Sequence, residues 1–134
     1  EKANTSLRKR LTDSRRRLLE ALALLTEQDF ISEIEKGHKF IDSLAALAPA
    51  ERAITAAVRA SVGLDPLSGP SAATHHLEHP PQIVHDLAGA RYATLKTLTE
   101  LASEEFGLGE FHKIAEREEA TTSAIHKRFG DRGA

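Results

Sequence analysis

The segment SLRKRLTDSRRRLLEALALL, residues 6–25, decides the fold class. Its leucines recur three, four or seven residues apart, which is the spacing of one face of an α-helix. That seam consists of Leu7, Leu11, Leu18, Leu22 and Leu25, and Leu19 and Leu24 widen it. Thr5 or Ser6 precedes the seam as a candidate N-cap. The segment therefore predicts a first helix over about residues 6–25.

Three more segments show helical periodicity and predict helices over about 41–61, 81–102 and 110–129. Pro49 lies inside the first of them. Its ring clashes with the preceding turn and it lacks an N–H, so we expect a kink or a restart there. Gly130 follows the last segment and suits the left-handed residue that commonly ends a helix.

The apolar stripes of the third and fourth helices differ in character. The predicted stripe of the third helix is apolar throughout: Val84, Leu87, Ala88, Leu95, Leu98 and Leu101. The stripe of the fourth helix is polar in its middle: Phe111, Ile114, Ala115, Glu118, Thr121, Ile125 and Phe129.

Strand signals are nearly absent, since no stretch alternates apolar and polar residues and no Asn-Gly or Asp-Gly turn occurs. Four helices with one apolar stripe each bury those stripes most simply against one another. We therefore expect an all-α, four-helix bundle as a single domain over residues 1–134. Residues 63–80 are rich in Gly, Pro and small polar residues, which predicts a long crossover loop between helices two and three. The short third connection implies that helices three and four are antiparallel neighbours.

The composition is that of an ordinary globular domain, with 134 residues, 40% apolar and 28% charged. No uncharged apolar run is long enough to span a membrane. The chain has no cysteine, which excludes disulfides, thiol chemistry and Cys-ligated metal centres. No leader is recognisable, and the expected location is cytoplasmic.

Positive charge is concentrated at the start of the chain. Residues 1–17 hold seven of the 18 Lys and Arg residues but only two of the 20 acidic ones. A basic helix of this kind is a possible dock for an anionic partner. No aromatic residue interleaves the basic residues to stack bases, and the acidic remainder repels a duplex. The pattern therefore favours a solvated helix end over a nucleic-acid interface.

Three segments, taken in order and spacing, resemble the DinB-like family: GHKFIDSLAALAPAER at 37–52, ARYATLKTLTEL at 90–101 and KIAEREEATTSAI at 113–125. This family includes the metal-binding domain of thiol-dependent isomerases and transferases and adopts a four-helix bundle. The resemblance covers most of the chain. It implies the same bundle here and a site built where helices two and four face each other.

The resemblance also implies a metal site that this chain lacks. Family members usually bind a divalent metal through one His on helix two and a His-x-x-x-His pair on helix four. The matching positions here are Ala46, Arg117 and Thr121. A methyl group cannot ligate, a guanidinium repels a cation, and a lone hydroxyl is a poor ligand. We predict that the family's metal site is absent and that no cofactor is bound.

A second metal hypothesis rests on the loop sequence HHLEH, residues 75–79. A helical turn would place His75 and His79 one turn apart, which is a metal-ligand spacing. A proline-flanked loop does not fix ligand geometry, so a loop that merely tolerates histidine is the plainer interpretation.

The polar residues of the bundle suggest two further arrangements. Arg117, Glu118 and Thr121 on helix four and Glu51 on helix two face the position of the family's metal, where an Arg–Glu pair would replace its charge. The plainer alternative turns Arg117 outward and leaves Glu118 at the rim. His85 shares a face of helix three with Tyr92, seven residues away. The two side chains could act as acid–base partners, and the plainer alternative is an interfacial or partly exposed pair.

Two functions stay open on these residues. The first is a DinB-like protein without the His triad that binds a small ligand in the bundle cleft or acts as a protein-interaction module. The alternative is a DinB-like transferase or hydrolase that works without the usual metal through Arg117, Glu118, Glu51 or His85. A closed aliphatic cleft favours the module, whereas convergent buried polar groups favour the enzyme.

Small residues on helices two and three also permit close contact with a second copy of the chain. They are Ala45, Ala88 and Gly89. A homodimer is therefore among the expected partners, together with a small-molecule ligand.

Overall fold

The computed structural model describes residues 2–67, 80–101 and 108–130. The elements in chain order are α1 (Lys2–Ala23), α2 (Glu27–Ile31), β1 (Glu33–Glu35), β2 (His38–Lys39), α3 (Phe40–Ala45), α4 (Leu47–Ser61), α5 (Pro80–Leu101) and α6 (Leu108–Phe129). The described chain is mostly helical, which confirms the expected all-α class. The loop histidines His75 and His79 lie outside the described residues.

The connection after α1 contains structure that the sequence did not reveal. Thr26 caps α2 through a capping box with Asp29. β1 and β2 then pair antiparallel around a turn in which Gly37 has φ 79°. The prediction without strands is wrong for this hairpin, because strands of two and three residues are too short to show alternation. A positive φ explains why glycine is needed at the turn.

The second predicted helix is divided in two, as expected near Pro49. α3 ends at Ala45, Ala46 lies between the helices, and α4 begins at Leu47. Pro49 is the third residue of α4, where the backbone N–H has no partner within the helix. The proline therefore costs α4 no hydrogen bond, and the break falls three residues before it.

Two apolar clusters fill the interior. Cluster 1 contains Leu18, Ala21, Leu22, Phe30, Phe40, Ile41, Leu44, Leu47, Ala48, Ile83, Leu87, Ala90 and Ile125. Cluster 2 contains Leu7, Leu11, Val58, Leu98, Leu101, Leu108, Phe111, Ile114 and Ala115. Each long helix contributes to both clusters. α1 and α6 run from cluster 2 toward cluster 1, whereas α4 and α5 run from cluster 1 toward cluster 2. Because α4 and α5 are parallel, residues 62–79 connect the cluster 2 end of α4 to the cluster 1 end of α5.

The long helices have unequal neighbours. α1 packs along α6, and α4 packs along α5 and α6, whereas α1 and α5 touch at few residues. α5 and α6 are antiparallel but barely contact each other, so the prediction that they are neighbours is wrong. Six residues separate the end of α5 from the start of α6, and six residues reach about 20 Å when extended. That length suffices for the diagonal of four helices whose axes lie about 10 Å apart.

The buried face of α5 is rotated by about one residue from its predicted stripe. Val84 is 37% exposed and Ala88 is exposed, while Ile83 and Ala90 are buried. The rotation accommodates a charged residue, because Arg91 at the middle of α5 points inward.

Candidate functional site

A layer of polar side chains separates the two apolar clusters. It consists of Ser14, Arg15, Glu51, Arg91, Thr94 and Glu118, and we call it the charge layer. All four long helices contribute to it. Glu51 and Glu118 are 3% and 2% exposed, and the side chains of Arg15 and Arg91 are 11% and 10% exposed. Two cations and two anions are therefore buried together.

Arg15 binds both carboxylates from α1. Its Nε donates to Glu118 Oε2 at 2.7 Å, and its Nη2 donates to Glu51 Oε1 at 3.1 Å. Its Nη1 donates to the backbone carbonyl of Leu87 on α5 at 3.0 Å. The planar guanidinium presents its donors in a fixed fork, which suits this bridging of three acceptors.

Arg91 makes the matching set of bonds from α5. Its Nε donates to Glu51 Oε2 at 2.9 Å, and its Nη2 donates to Glu118 Oε2 at 2.7 Å. Its Nη1 donates to the carbonyl of Leu11 on α1 at 2.9 Å. Burial acts to lower the pKa of Arg91, but the attraction of Glu51 and Glu118 outweighs it and raises that pKa above the ordinary value. Arg91 therefore stays charged and cannot exchange protons.

Hydroxyl groups complete the layer. Ser14 Oγ donates to Glu118 Oε1 at 2.6 Å, and Thr94 Oγ1 donates to Glu51 Oε2 at 2.6 Å. Thr55 lies 3.1 Å from the Thr94 hydroxyl. Across the described residues, every buried side-chain nitrogen and oxygen has a hydrogen-bond partner. A fully satisfied layer of zero net charge is the condition under which buried ions are tolerated.

The carboxylates have little access to an outside molecule. A crevice of about 10 Å³ lies on the α4–α6 side of the layer and is lined in part by Glu51, Arg117 and Glu118. This volume is close to that of a single water site. The carboxylates are engaged with arginines and hydroxyls rather than facing a cavity of substrate size.

The structure brings together only part of the predicted site. Glu51 and Glu118 meet through the two arginines, and Glu118 lies in the interior rather than at the rim. Arg117 is exposed and borders the small crevice beside the two carboxylates, whereas His85 is exposed and is not among the residues that line it. Thr121 donates to the carbonyl of Arg117 at 2.8 Å, one turn earlier on α6.

Of the three positions that match the family's metal ligands, only Arg117 reaches the crevice beside the layer. Ala46 is exposed between α3 and α4, and Arg117 is exposed on α6. Within residues 2–67, 80–101 and 108–130, no group of three His, Asp or Glu side chains is arranged to hold a metal ion. His75 and His79 are not among these residues.

Sequence reasoning missed Arg15, Arg91, Ser14 and Thr94. The signal was their register: Arg15 lies four residues after Leu11, and Arg91 lies four residues after Leu87, so both continue a core-facing stripe. The predicted stripes pass over these positions because a charged residue is rarely buried. Polar residues near the middle of all four long helices, on the same face as apolar residues one turn away, were together the indication of a buried layer.

A groove opens above the charge layer where α1 and α5 diverge. It has a volume of about 420 Å³, and Arg15 and Arg91 form its floor. Leu19 on α1 and Leu95 on α5 also line it, and Arg16 and Glu20, whose charged groups lie 3.6 Å apart, lie on its α1 side. Glu51 and Glu118 line the crevice on the other side of the layer instead. The layer is therefore neutral as a whole but presents its positive groups toward the groove.

The exposed cations of α1 largely pair with acidic neighbours. Arg10 binds Glu119 on α6 at 2.7 Å, and Lys9 lies 3.4 Å from Asp13. The hydrogen bond from Arg10 holds the pKa of Glu119 below its usual value. Pairing of this kind reduces the positive field that the sequence of α1 suggests.

None of the described helices has the length and apolar character needed to cross a membrane. Comparison of the chain with known protein families, with curated proteins and with solved structures finds no match.

Proposed function

We propose that the chain is a DinB-like four-helix bundle that binds a small ligand without the family's metal, and that the ligand lies in the groove between α1 and α5. The groove, with apolar walls and an arginine floor, is the observation that carries this proposal. The interaction-module alternative uses the same surface but has no structural feature that selects a protein partner.

The bundle and the family relationship rest on the helices and on the sequence resemblance. α1, α4, α5 and α6 place their apolar faces against shared clusters, as the helices of a bundle do. The first segment that resembles the DinB-like family runs from the hairpin turn and β2 through α3 into α4, and the other two lie within α5 and α6. Residues 24–39, with α2 and the β-hairpin, are an elaboration between the first two long helices.

The chemistry of the groove defines the class of ligand. Its volume lies within the range typical of small-molecule sites, about 300–1,000 Å³. Leu19 and Leu95 favour an apolar body, and the guanidinium side of the layer favours an anionic group. An aliphatic carboxylate of medium length combines both properties.

The alternative of a metal-free transferase or hydrolase has weaker support. Glu51 and Glu118 are saturated by arginines, and a general base needs access to the proton that it removes. His85 and Arg117 are exposed and lie outside the groove lining. Arg117 borders the crevice of about 10 Å³ beside Glu51 and Glu118, which is too small for a substrate, and His85 is not among the residues that line it.

Octanoate is expected to bind in the groove more tightly than 1-octanol, which lacks the charge. Titration of the isotope-labelled protein should shift amide resonances of α1 and α5 around Arg15 and Arg91. The double variant Leu19→Gln/Leu95→Gln should bind octanoate about tenfold more weakly, because roughly 1.4 kcal/mol of apolar contact is lost. The dissociation constant from the shift titration measures this effect.

Leu25→Gln is the matched control, since Leu25 is also a partly buried leucine but packs away from the groove. It should bind octanoate as the unaltered protein does. Equal affinity in the double variant, or shifts confined to other helices, would contradict the proposal.

A metal titration tests the absence of the family's metal site. Tag-free protein should bind no stoichiometric Zn²⁺ or Ni²⁺ at Ala46, Arg117 and Thr121, because these side chains supply no imidazole or carboxylate. Elemental analysis and calorimetry measure the stoichiometry. Any binding by the loop should disappear in His75→Ala/His79→Ala. Tight binding of one ion by that double variant would show that the metal-free proposal is wrong.

A further inference from the structure

The two halves of the chain repeat one sequence pattern around the charge layer. LTDSRRRLLEAL at 11–22 and LAGARYATLKTL at 87–98 align with the arginine and three leucines in register. LAALAPAERAITAAV at 44–58 and FHKIAEREEATTSAI at 111–125 align with the glutamate, a threonine and the apolar positions in register. Arg15 thus corresponds to Arg91, and Glu51 to Glu118.

The hydrogen bonds follow the same correspondence. Arg15 donates to the carbonyl of Leu87, and Arg91 donates to the carbonyl of Leu11. Each arginine therefore binds the carbonyl four residues before the other arginine. The Nε of each arginine donates to the glutamate of the opposite half. A local two-fold axis through the layer that exchanges the two halves therefore converts the carbonyl and Nε bonds of Arg15 into those of Arg91.

Helix packing obeys the same relation. The most extensive contacts, α1 with α6 and α4 with α5, are exchanged by the axis. Corresponding helices run in opposite directions between clusters 1 and 2, as a two-fold axis perpendicular to the helices requires. Three features depart from the repeat. α2 with the β-hairpin occurs only in the first half, and the break at Ala46 has no counterpart in α6. The layer hydroxyls of Ser14 and Thr94 correspond to Ala90 and Leu18, which have none.

The two long helices within each half barely touch each other. Among the described residues, α1 with α4 and α5 with α6 are not packed pairs, and the long helices pack between the halves instead. Each half also brings one arginine and one glutamate to the layer. The arginine and the glutamate of one half pair with each other, at 3.1 Å for Arg15 and Glu51 and at 2.7 Å for Arg91 and Glu118, and each carboxylate also accepts a bond from the arginine of the other half. A half therefore buries its apolar faces and completes the charge layer only against another half.

We propose that the chain is an internal duplication of a two-helix unit, and that the inner face of each half fits a second copy of the same unit. A chain whose own halves cannot close on each other then pairs with a second chain by exchanging halves. The resulting dimer contains two charge layers, each built from the same four ionic groups.

Deletion of residues 68–79 tests this proposal in the full chain. Glu51 on α4 and Arg91 on α5 are bonded to each other, so they lie at the same height along these two parallel helices. The end of α4 at Ser61 and the start of α5 at Pro80 lie on opposite sides of that height, about 30 Å apart along the helix axes. The remaining residues 62–67 reach about 20 Å when extended. Arg59 also binds the carbonyl of Asp65 at 2.7 Å, which holds part of this segment at the end of α4. The deletion therefore prevents closure within one chain.

The control replaces residues 68–79 by twelve Gly and Ser residues, which keeps the length. Light scattering on eluted protein should give the deletion variant twice the mass of this control, and both should show the same helical circular dichroism. A folded deletion variant with the control's mass would overturn the proposal. An unfolded variant, or aggregates without defined mass, would overturn it as well, because each half is proposed to find another half.

A second measurement tests the equivalence of the halves. Arg15→Lys and Arg91→Lys should lower the midpoint of urea unfolding by the same amount, since lysine cannot bridge three acceptors. Arg52→Lys is the control, because Arg52 forms its ion pair with Asp86 outside the layer and should show a smaller shift. The proposal fails if one layer variant matches this control while the other loses its folded state.

Discussion

Replacement of Glu118 by glutamine is expected to lower the free energy of unfolding by about 3–5 kcal/mol. Glutamine keeps the shape of the side chain but removes the negative charge that Arg15 and Arg91 share. Glu118 is 2% exposed and accepts hydrogen bonds from Arg15, Arg91 and Ser14. The variant would bury two cations against one remaining carboxylate. Urea unfolding at neutral pH, followed by far-UV circular dichroism, measures the loss.

The neighbouring residue provides a matched control. Glu119 lies beside Glu118 on α6 and pairs with Arg10, but its side chain is 43% exposed. Exposed ion pairs contribute about 0–1 kcal/mol, so Glu119→Gln should change stability little. Equal losses in the two variants would contradict the view that burial of the charge layer determines the cost.

Replacement of the entire charge layer by apolar residues is expected to have the opposite outcome. The variant Arg15→Met/Glu51→Leu/Arg91→Met/Glu118→Leu should be as stable as the unaltered protein or more stable by about 1–4 kcal/mol. The reason is that four ions no longer lose their hydration on folding. The remaining hydroxyls have helical acceptors within reach, because Ser14 Oγ lies 3.1 Å from Leu11 O and Thr94 Oγ1 lies 3.2 Å from Ala90 O.

The same urea measurement tests this second prediction. A triple variant that keeps Arg91 alone should be the least stable of the set, because its charge has no buried partner. A fourfold variant that loses as much stability as Glu118→Gln would show that the ion pairs contribute net stability. The fourfold variant also separates structure from function, since we expect it to keep its fold but to lose the preference for octanoate over octanol.

Local pattern accounts for what the sequence predicted correctly. The helical segments follow from apolar spacing, and the interruption near Pro49 follows from the geometry of the proline ring. These properties depend on residues within one or two turns. Gly130, with φ 78°, ends α6 for the same local reason. The β-hairpin escaped prediction because its strands are shorter than the pattern that identifies a strand.

The candidate site depended on groups far apart in the chain. Glu51 and Glu118 were named as site residues, but their partners Arg15 and Arg91 were not. Arg15 lies in the run Arg15, Arg16 and Arg17, which has the composition of a solvated helix face. Only Arg15 points inward, because a carboxylate from α4 and another from α6 are there to receive it.

The sequence by itself determined the fold class, the approximate helices and the chain's lack of thiol chemistry. The tertiary structure decided which charged residues are buried, which helices are neighbours and where a groove opens. The physical reason is one of range. Helical periodicity is a property of adjacent turns, whereas the burial of an ion is favourable only when opposite charges from other helices neutralise it. That condition is met in the charge layer, where all four long helices meet.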